Sequence, residues 1–203
     1  MEISTLIFDL NVVLVTYEYS NQRRDYLDLL GVTEKQFWEV GRTHFMAYNC
    51  GVIDNNTYYS RIFHSLDLNP ELIPDAQQLH WDALSPVKGM KPILKKLKGH
   101  YNMTLLAGDG GESLAYKVND LGFMHFFDTI YATCFEGMAK DTPEIYRRLL
   151  SHEGVKPKSC LFIDDLEKHI VAASEVGINC IHFENPQQML QEMKEYDIQL
   201  GRK

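Results

Sequence analysis

Four short stretches of the sequence carry side chains that could do chemistry together. Asp9 follows the apolar run Thr5-Leu6-Ile7-Phe8, and the loop Ala107-Gly108-Asp109-Gly110-Gly111 follows Met103-Thr104-Leu105-Leu106. Lys140 comes after Thr129-Ile130-Tyr131-Ala132, and Asp164-Asp165 closes Cys160-Leu161-Phe162-Ile163. If these runs are parallel strands, their carboxyl ends are where an open α/β sheet binds its ligands. Singly, each residue has a plain structural reading: Asp9 as a turn residue, Lys140 as a surface charge, Asp164-Asp165 as a helix cap facing the macrodipole. Together, the carboxylates would repel one another unless a cation or a lysine lay among them. An oxygen-rich acidic cluster is also the donor set that Mg2+ selects.

The elements that must position these residues are legible in the hydrophobic pattern. With a fifth run, Asn179-Cys180-Ile181-His182, the apolar stretches alternate with amphipathic ones from about residue 85 onward. That is the pattern of an α/β fold, a doubly wound parallel sheet with helices on both faces. Thr142 with Pro143 opens a helix over 143–152, and Gly154 and Gly177 stand where helix C-termini need positive φ. Residues 15–85 break the rhythm with helical periodicity and no convincing strand. Thr33 with Gln36 forms a capping box for a helix carrying Phe37, Trp38, Val40 and Phe45, and Asn69-Pro70 starts another with Leu72, Leu79 and Trp81. The domain reading is a core of residues 1–14 and 86–203 with a helical insertion over 15–85.

Composition narrows the partners. The chain has 203 residues, 45% of them hydrophobic, and 20 Lys+Arg against 28 Asp+Glu give a net charge of -8. That length fits one sizeable core at roughly 100–200 residues per domain. An acidic balance disfavours nucleic acid, and the lysines between Lys88 and Lys98 read as one solvated helix face. No run approaches the ~18 apolar residues of a membrane span, and the N-terminus lacks the basic region of a signal peptide, so a cytoplasmic protein without a membrane partner is expected. Cys50, Cys134, Cys160 and Cys180 show neither C-x-x-C pairing nor zinc spacing and read as small buried hydrophobes. The histidines are scattered, with His169 expected on the exposed face of the helix after Asp165. Tyr17, Tyr19, Phe45 and Tyr48 fall where the insertion meets the strand ends, either as a substrate pocket or as ordinary packing. Arg42, with a flat cationic fork suited to phosphate or carboxylate, is the insertion's first charge to test.

The pieces Phe8-Asp9-Leu10-Asn11-Val12-Val13-Leu14, Gly137-Met138-Ala139-Lys140-Asp141-Thr142-Pro143-Glu144-Ile145-Tyr146 and Phe162-Ile163-Asp164-Asp165, followed by Ala172-Ala173 and Gly177, resemble motifs one, three and four of the haloacid dehalogenase-like hydrolases. The resemblance runs through nearly the whole chain, residues 15–85 resembling that family's helical cap. It is closest to small phosphatases with the cap inserted after motif one, a group that includes sugar phosphatases. It implies a Mg2+-dependent phosphatase acting on a small phosphorylated substrate, as a monomer or homodimer. Asp9 would be the nucleophile forming an aspartyl phosphate, and Lys140 would neutralise charge on Asp9 and the transferring group. Asp9, Asp165, the backbone carbonyl of Asn11 and, directly or through water, Asp164 would hold the metal. The loop Ala107, Gly108 and Asp109 would face the phosphoryl group.

Two positions depart from the family pattern. Asn11 stands where most of these phosphatases have the Asp that serves as general acid and base, a loss that typically costs ~10²–10⁴-fold. Ala107 replaces a Ser or Thr whose hydroxyl holds a phosphoryl oxygen, worth ~10²–10³ in rate. Asp109 would add repulsion of ~3 kcal/mol against a unit charge about 6 Å away. The competing readings are a slow or inactive member that binds a phosphorylated ligand or protein partner, and a metal-free dehalogenase, which has little use for Asp164-Asp165. If the missing acid is what slows the chemistry, Asn11→Asp should raise turnover of alkyl phosphates more than that of p-nitrophenyl phosphate, whose leaving group needs no proton. An equal change in both rates would exclude that role for position 11.

Overall fold

The computed structural model describes residues 2–17 and 21–201. Strand β1 (Thr5–Phe8) leads to a short β2 (Val15–Tyr17), then four helices, α1 (Asn21–Leu30), α2 (Glu34–Asn49), α3 (Asn55–Ser65) and α4 (Ile73–Asp82), and a short β3 (Leu84–Pro86). The remainder alternates helix and strand. It runs α5 (Met90–Leu97), β4 (Asn102–Ala107), α6 (Gly111–Asn119), β5 (Thr129–Ala132), the single turn α7 (Thr133–Glu136) and α8 (Pro143–Glu153). It ends with β6 (Cys160–Asp164), α9 (Glu167–Glu175), β7 (Asn179–His182) and α10 (Pro186–Met193).

All five expected runs are strands of one parallel sheet in the order β5-β4-β1-β6-β7. Central β1 places Phe8 opposite Leu105 on one side and Ile163 on the other. The chain leaves β1 toward β4 on one side and β6 toward β7 on the other, so the gap between β1 and β6 is the topological switch point. Alternate residues feed two cores. Leu6, Phe8, Leu105, Leu161 and Ile163 pack on one face with Leu94, Leu114 and Met189. Ile7, Leu106 and Phe162 pack on the other with Ile145, Tyr146 and Leu149. Burial on both faces is why these strands read as continuous apolar runs. Gly154 (φ 65) and Gly177 (φ 87) adopt the left-handed conformation expected of them. The four cysteines are free; Cys160 is buried as expected, whereas Cys50, Cys134 and Cys180 are only half-buried.

The helices of residues 21–82 have their own apolar cluster, with Phe37, Tyr58, Tyr59, Ile62 and Phe63 at its centre. The Thr33–Gln36 capping box opens α2, both reciprocal bonds formed. Two expectations need correction here. The segment at Asn69-Pro70 is first a 3-10 turn, Pro70–Leu72, with Asn69 Oδ1 accepting from the Glu71 N–H, and only then α4. The insertion is also not free of strands: β2 and β3 pair antiparallel, Val15 opposite Pro86 and Tyr17 opposite Leu84. Three residues per strand give no alternation long enough to recognise. This ribbon joins the chain entering the helical layer to the chain leaving it.

The end of α2 is pressed onto the sheet's loops. Thr133 Oγ1 donates to the Asn49 carbonyl at 2.7 Å, and Trp81 stacks on Tyr116 of α6 with centroids 5.3 Å apart. The Tyr48 ring lies so close to Gly110 that a Cβ there would overlap it, while a Cβ at neighbouring Gly111 would meet nothing within 4 Å. Among the described residues, no helix is long and apolar enough to cross a membrane. Gly110→Ala should therefore cost about 1–3 kcal/mol, the usual range for overpacking, and Gly111→Ala less than about 0.5 kcal/mol. Urea denaturation of the pair checks this, and equal stabilities would show that the Tyr48 contact is not tight.

Candidate functional site

The carboxyl ends of β1 and β6 bring Asp9 and Asp164 to either side of one ammonium group. Lys140 Nζ lies 2.6 Å from Asp9 Oδ1 and 2.7 Å from Asp164 Oδ2, and all three side chains are buried. Asp9 Oδ1 also accepts from the Leu10 N–H at 2.6 Å. Asp164 Oδ1 accepts from the Leu166 N–H at 2.9 Å and lies 2.9 Å from His169 Nδ1. The lysine's backbone is fixed as well, its carbonyl accepting from the Tyr146 hydroxyl at 2.8 Å. Half-buried Asp165 completes the group: one oxygen from each of Asp9, Asp164 and Asp165 falls within 4.8 Å of the others. A cation with a preference for oxygen could be held there.

The two carboxylates that share Lys140 titrate in opposite directions. Burial, reinforced by the Asp164 charge, raises Asp9 to about 7 even against the nearby ammonium. For Asp164, burial is outweighed by Lys140 and by His169, and its pKa is lowered. The difference lies in the second cation-side partner that Asp164 has and Asp9 lacks. Burial opposes the charge of Lys140, yet its two carboxylates lift its pKa above the ordinary value. Asp165 is raised by burial and by Asp164.

The turn after β1 is strained. Val12 has φ 65, a region that β-branched residues avoid at a cost of about 1–3 kcal/mol. The Val12 N–H donates to the Val15 carbonyl, and the Asn11 carbonyl accepts from the Val13 N–H at 2.7 Å, which leaves it one further lone pair. The Asn11 side chain meets a residue absent from the sequence-based expectations. Lys117 Nζ donates to Asn11 Oδ1 at 2.7 Å and to Asp109 Oδ2 at 2.5 Å, with Lys117 and Asp109 both buried. The expected repulsion from Asp109 is thus corrected: its charge is neutralised by Lys117, eight residues further along the chain in α6. Its Oδ1 also accepts from the Gly110 N–H at 3.1 Å, so that amide is not free for an anion.

Two cavities flank Asn11. The first, of about 180 Å3, is lined by Asp9, Asn11, Gly108, Lys140, Asp165 and His169, with Phe45 and Asn49 from α2. The second, of about 190 Å3, takes in Tyr17, Phe45 and Tyr48 as well as Asp109 and Lys117. Three expectations are not met. Arg42 is exposed and lines neither cavity. Ala107 is fully buried in the sheet's core cluster and lines neither cavity, although Gly108 beside it does. His169 is not on an exposed helix face but buried against Asp164. Tyr19 lies outside the described residues. The signal for His169 was available: four residues after Asp165, it falls in the first turn of α9, beside the strand end. Lys117 gave none, because its partners are 8 and 106 positions away.

Comparison with known proteins agrees with this architecture. A family model described as haloacid dehalogenase-like hydrolase matches residues 3–177. A sesquiterpene phosphatase of Aspergillus oryzae is 26% identical over 185 residues, covering 87% of each chain. A flavin mononucleotide hydrolase of Arabidopsis thaliana is 31% identical over 71 residues, 35% of this chain and 29% of that protein. Among solved structures, a haloacid dehalogenase family enzyme from Bacteroides thetaiotaomicron superposes with a TM-score of 0.80 at 20% identity, covering 95% of this chain and 99% of its own. The same protein has been solved with magnesium and inorganic phosphate, at TM-score 0.74, 20% identity and coverage of 91% and 96%. At these identities the structural likeness bears on the fold.

The buried Lys117–Asp109 pair yields a direct test. Lys117→Met leaves Asp109 buried without its cation and should lose about 3–5 kcal/mol, whereas Lys117→Met with Asp109→Leu should recover most of that loss. Chemical denaturation of the two variants and wild type decides it. A single variant as stable as wild type would mean that the pair is not buried as described.

Proposed function

The chain belongs to the haloacid dehalogenase-like hydrolases, and from that premise we propose that it is a Mg2+-dependent phosphatase acting on a small phosphorylated metabolite through an aspartyl phosphate on Asp9. The observation that carries the reading is the convergence of Asp9, Asp164 and Asp165 around one point with Lys140 between the first two. A nucleophile that attacked carbon would need Asp9 and Lys140 but not two further carboxylates.

The donor set fits Mg2+: three carboxylates and the spare lone pair of the Asn11 carbonyl are hard oxygen ligands, and waters or phosphate oxygens can fill the remaining positions. When bound, Mg2+ supplies Lewis-acid polarisation and screens the charge of the phosphoryl group. Asp9, held on its Oδ1 by Lys140 and the Leu10 N–H, attacks phosphorus. The ester oxygen departs with its bonding pair, and water then releases phosphate and restores the carboxylate. Lys140 offsets the negative charge gathered between Asp9 and the phosphoryl group, and being fixed already it needs no reorganisation. His169 and Tyr146 hold Asp164 and the Lys140 backbone in register. The two relatives named above are a flavin mononucleotide hydrolase and a sesquiterpene phosphatase. They support a phosphorylated small molecule, the class in which sugar phosphates also fall, without choosing one.

A second reading, a slow or inactive member that binds a phosphorylated ligand or a protein partner, is favoured by one observation. Asn11 has no acidic proton to give, and its Oδ1 is already occupied by Lys117.

Wild type should turn over acetyl phosphate and p-nitrophenyl phosphate with Mg2+, lose that activity with chelator, and lose it in Asp9→Asn. A Mg2+ concentration one hundred times Kd should stabilise the fold by about 2.7 kcal/mol, seen as an upward shift in Tm that Asp165→Ala largely abolishes. Equal shifts in both proteins would remove Asp165 from the metal site. Mg2+ binding without turnover of either substrate would favour the binding role.

A further inference from the structure

The cavity of about 190 Å3 on the far side of Asn11 has no part in the chemistry described above, yet it opens from the same place. Asn11 and Phe45 line both it and the cavity that holds Asp9. Its walls are mostly rings, contributed by Tyr17, Trp38, Tyr48, Tyr58, Tyr59 and Trp81. Tyr48 and Tyr58 are stacked, with centroids 4.7 Å apart and planes inclined by 17°. Several of the polar groups among them are engaged with one another. Lys117 is held by Asp109 and Asn11, the Tyr48 hydroxyl donates to Asn55 Oδ1 at 3.2 Å, and the Tyr17 hydroxyl pairs with His80.

We propose that this cavity receives the alcohol portion of the substrate and selects phosphate monoesters of compact apolar or aromatic alcohols over those of polyols. The inference rests on the phosphatase reading above and names its substrate class. A phosphoryl group seated at Asp9 sends its ester oxygen past Asn11 and Phe45, so the organic group enters the ring-lined space. The size suits one ring: an apolar cavity of about 150 Å3 is enough to take up benzene. A polyol entering here would leave water for walls that are mostly ring faces, with Lys117 and the Tyr48 and Tyr17 hydroxyls already paired, and each hydroxyl without a partner is penalised. An aromatic ring meets no such penalty and gains offset or edge-to-face contacts with its neighbours.

The test compares benzyl, ethyl and glycerol 2-phosphates, all esters of poor alkyl leaving groups, with acetyl phosphate as the measure of phosphoryl chemistry alone. We expect kcat/KM for benzyl phosphate to exceed that for the other two esters by about tenfold or more, the scale on which pockets discriminate apolar groups. The ratio of benzyl to acetyl phosphate turnover should fall severalfold in Trp81→Ala. Because that variant could lose its fold, benzylphosphonate and ethylphosphonate are also titrated into wild type by calorimetry, where the benzyl compound should bind about tenfold more tightly. If acetyl phosphate is hydrolysed but the three esters lie within threefold of one another, or glycerol 2-phosphate is preferred, the cavity is not the alcohol site and the phosphatase reading stands. If nothing is hydrolysed yet benzylphosphonate is still preferred, the cavity assignment holds and the catalytic reading fails. Absence of both turnover and phosphonate discrimination overturns the two together.

Discussion

Everything at the site depends on one ammonium group placed between two carboxylates that would otherwise repel each other. A parallel sheet delivers Asp9 and Asp164 side by side because β1 and β6 are hydrogen-bonded neighbours in register, with the Asp9 N–H donating to the Ile163 carbonyl. Two buried carboxylates at that separation cannot both stay ionised without a countercharge. Lys140, brought in from the segment after β5, supplies it to both, and Tyr146 fixes the lysine's backbone from α8. The asymmetry of the two acids follows from the same arrangement. Asp164 has His169 in addition to the lysine and its pKa is lowered, whereas Asp9 is raised by burial and by the Asp164 charge, although it too accepts from a backbone N–H. Positive charge brought beside Asp9 would favour its ionised form.

A second buried ion pair works alongside the first. Lys117 and Asp109 neutralise each other at the mouth of α6, and Lys117 also fixes the Asn11 side chain between the two cavities. The Asn11 amide is a hydrogen-bond acceptor in a settled network. The helical layer closes over this network through contacts that tolerate little change: Tyr48 against Gly110, the Asn49 carbonyl on Thr133, and Trp81 on Tyr116. The ring-lined cavity exists only because the layer is docked in this way, since its walls come from the helices of residues 21–82 while its polar end comes from α6 and the turn after β1.

Local signals in the sequence determined much of this. The five core strands were legible because strands covered on both faces are uniformly apolar, and the α2 capping box, the Pro143 helix start and the positive-φ glycines at 154 and 177 are decided by residues within a few positions of one another. The grouping of Asp9, Lys140, Asp164 and Asp165 followed from the rule that parallel sheets bind ligands at their carboxyl ends. What the sequence could not decide were matters of which side chain meets which across long separations. The β2–β3 ribbon pairs residues about 70 positions apart with three residues a side, too few for a pattern. The Lys117–Asn11 contact spans 106 positions, and the place of Arg42 outside both cavities is settled only by how α2 packs on the rest of the chain. Short-range preferences are written in neighbouring residues; the partner of a buried charge is chosen by packing, which exists only once the whole chain has folded.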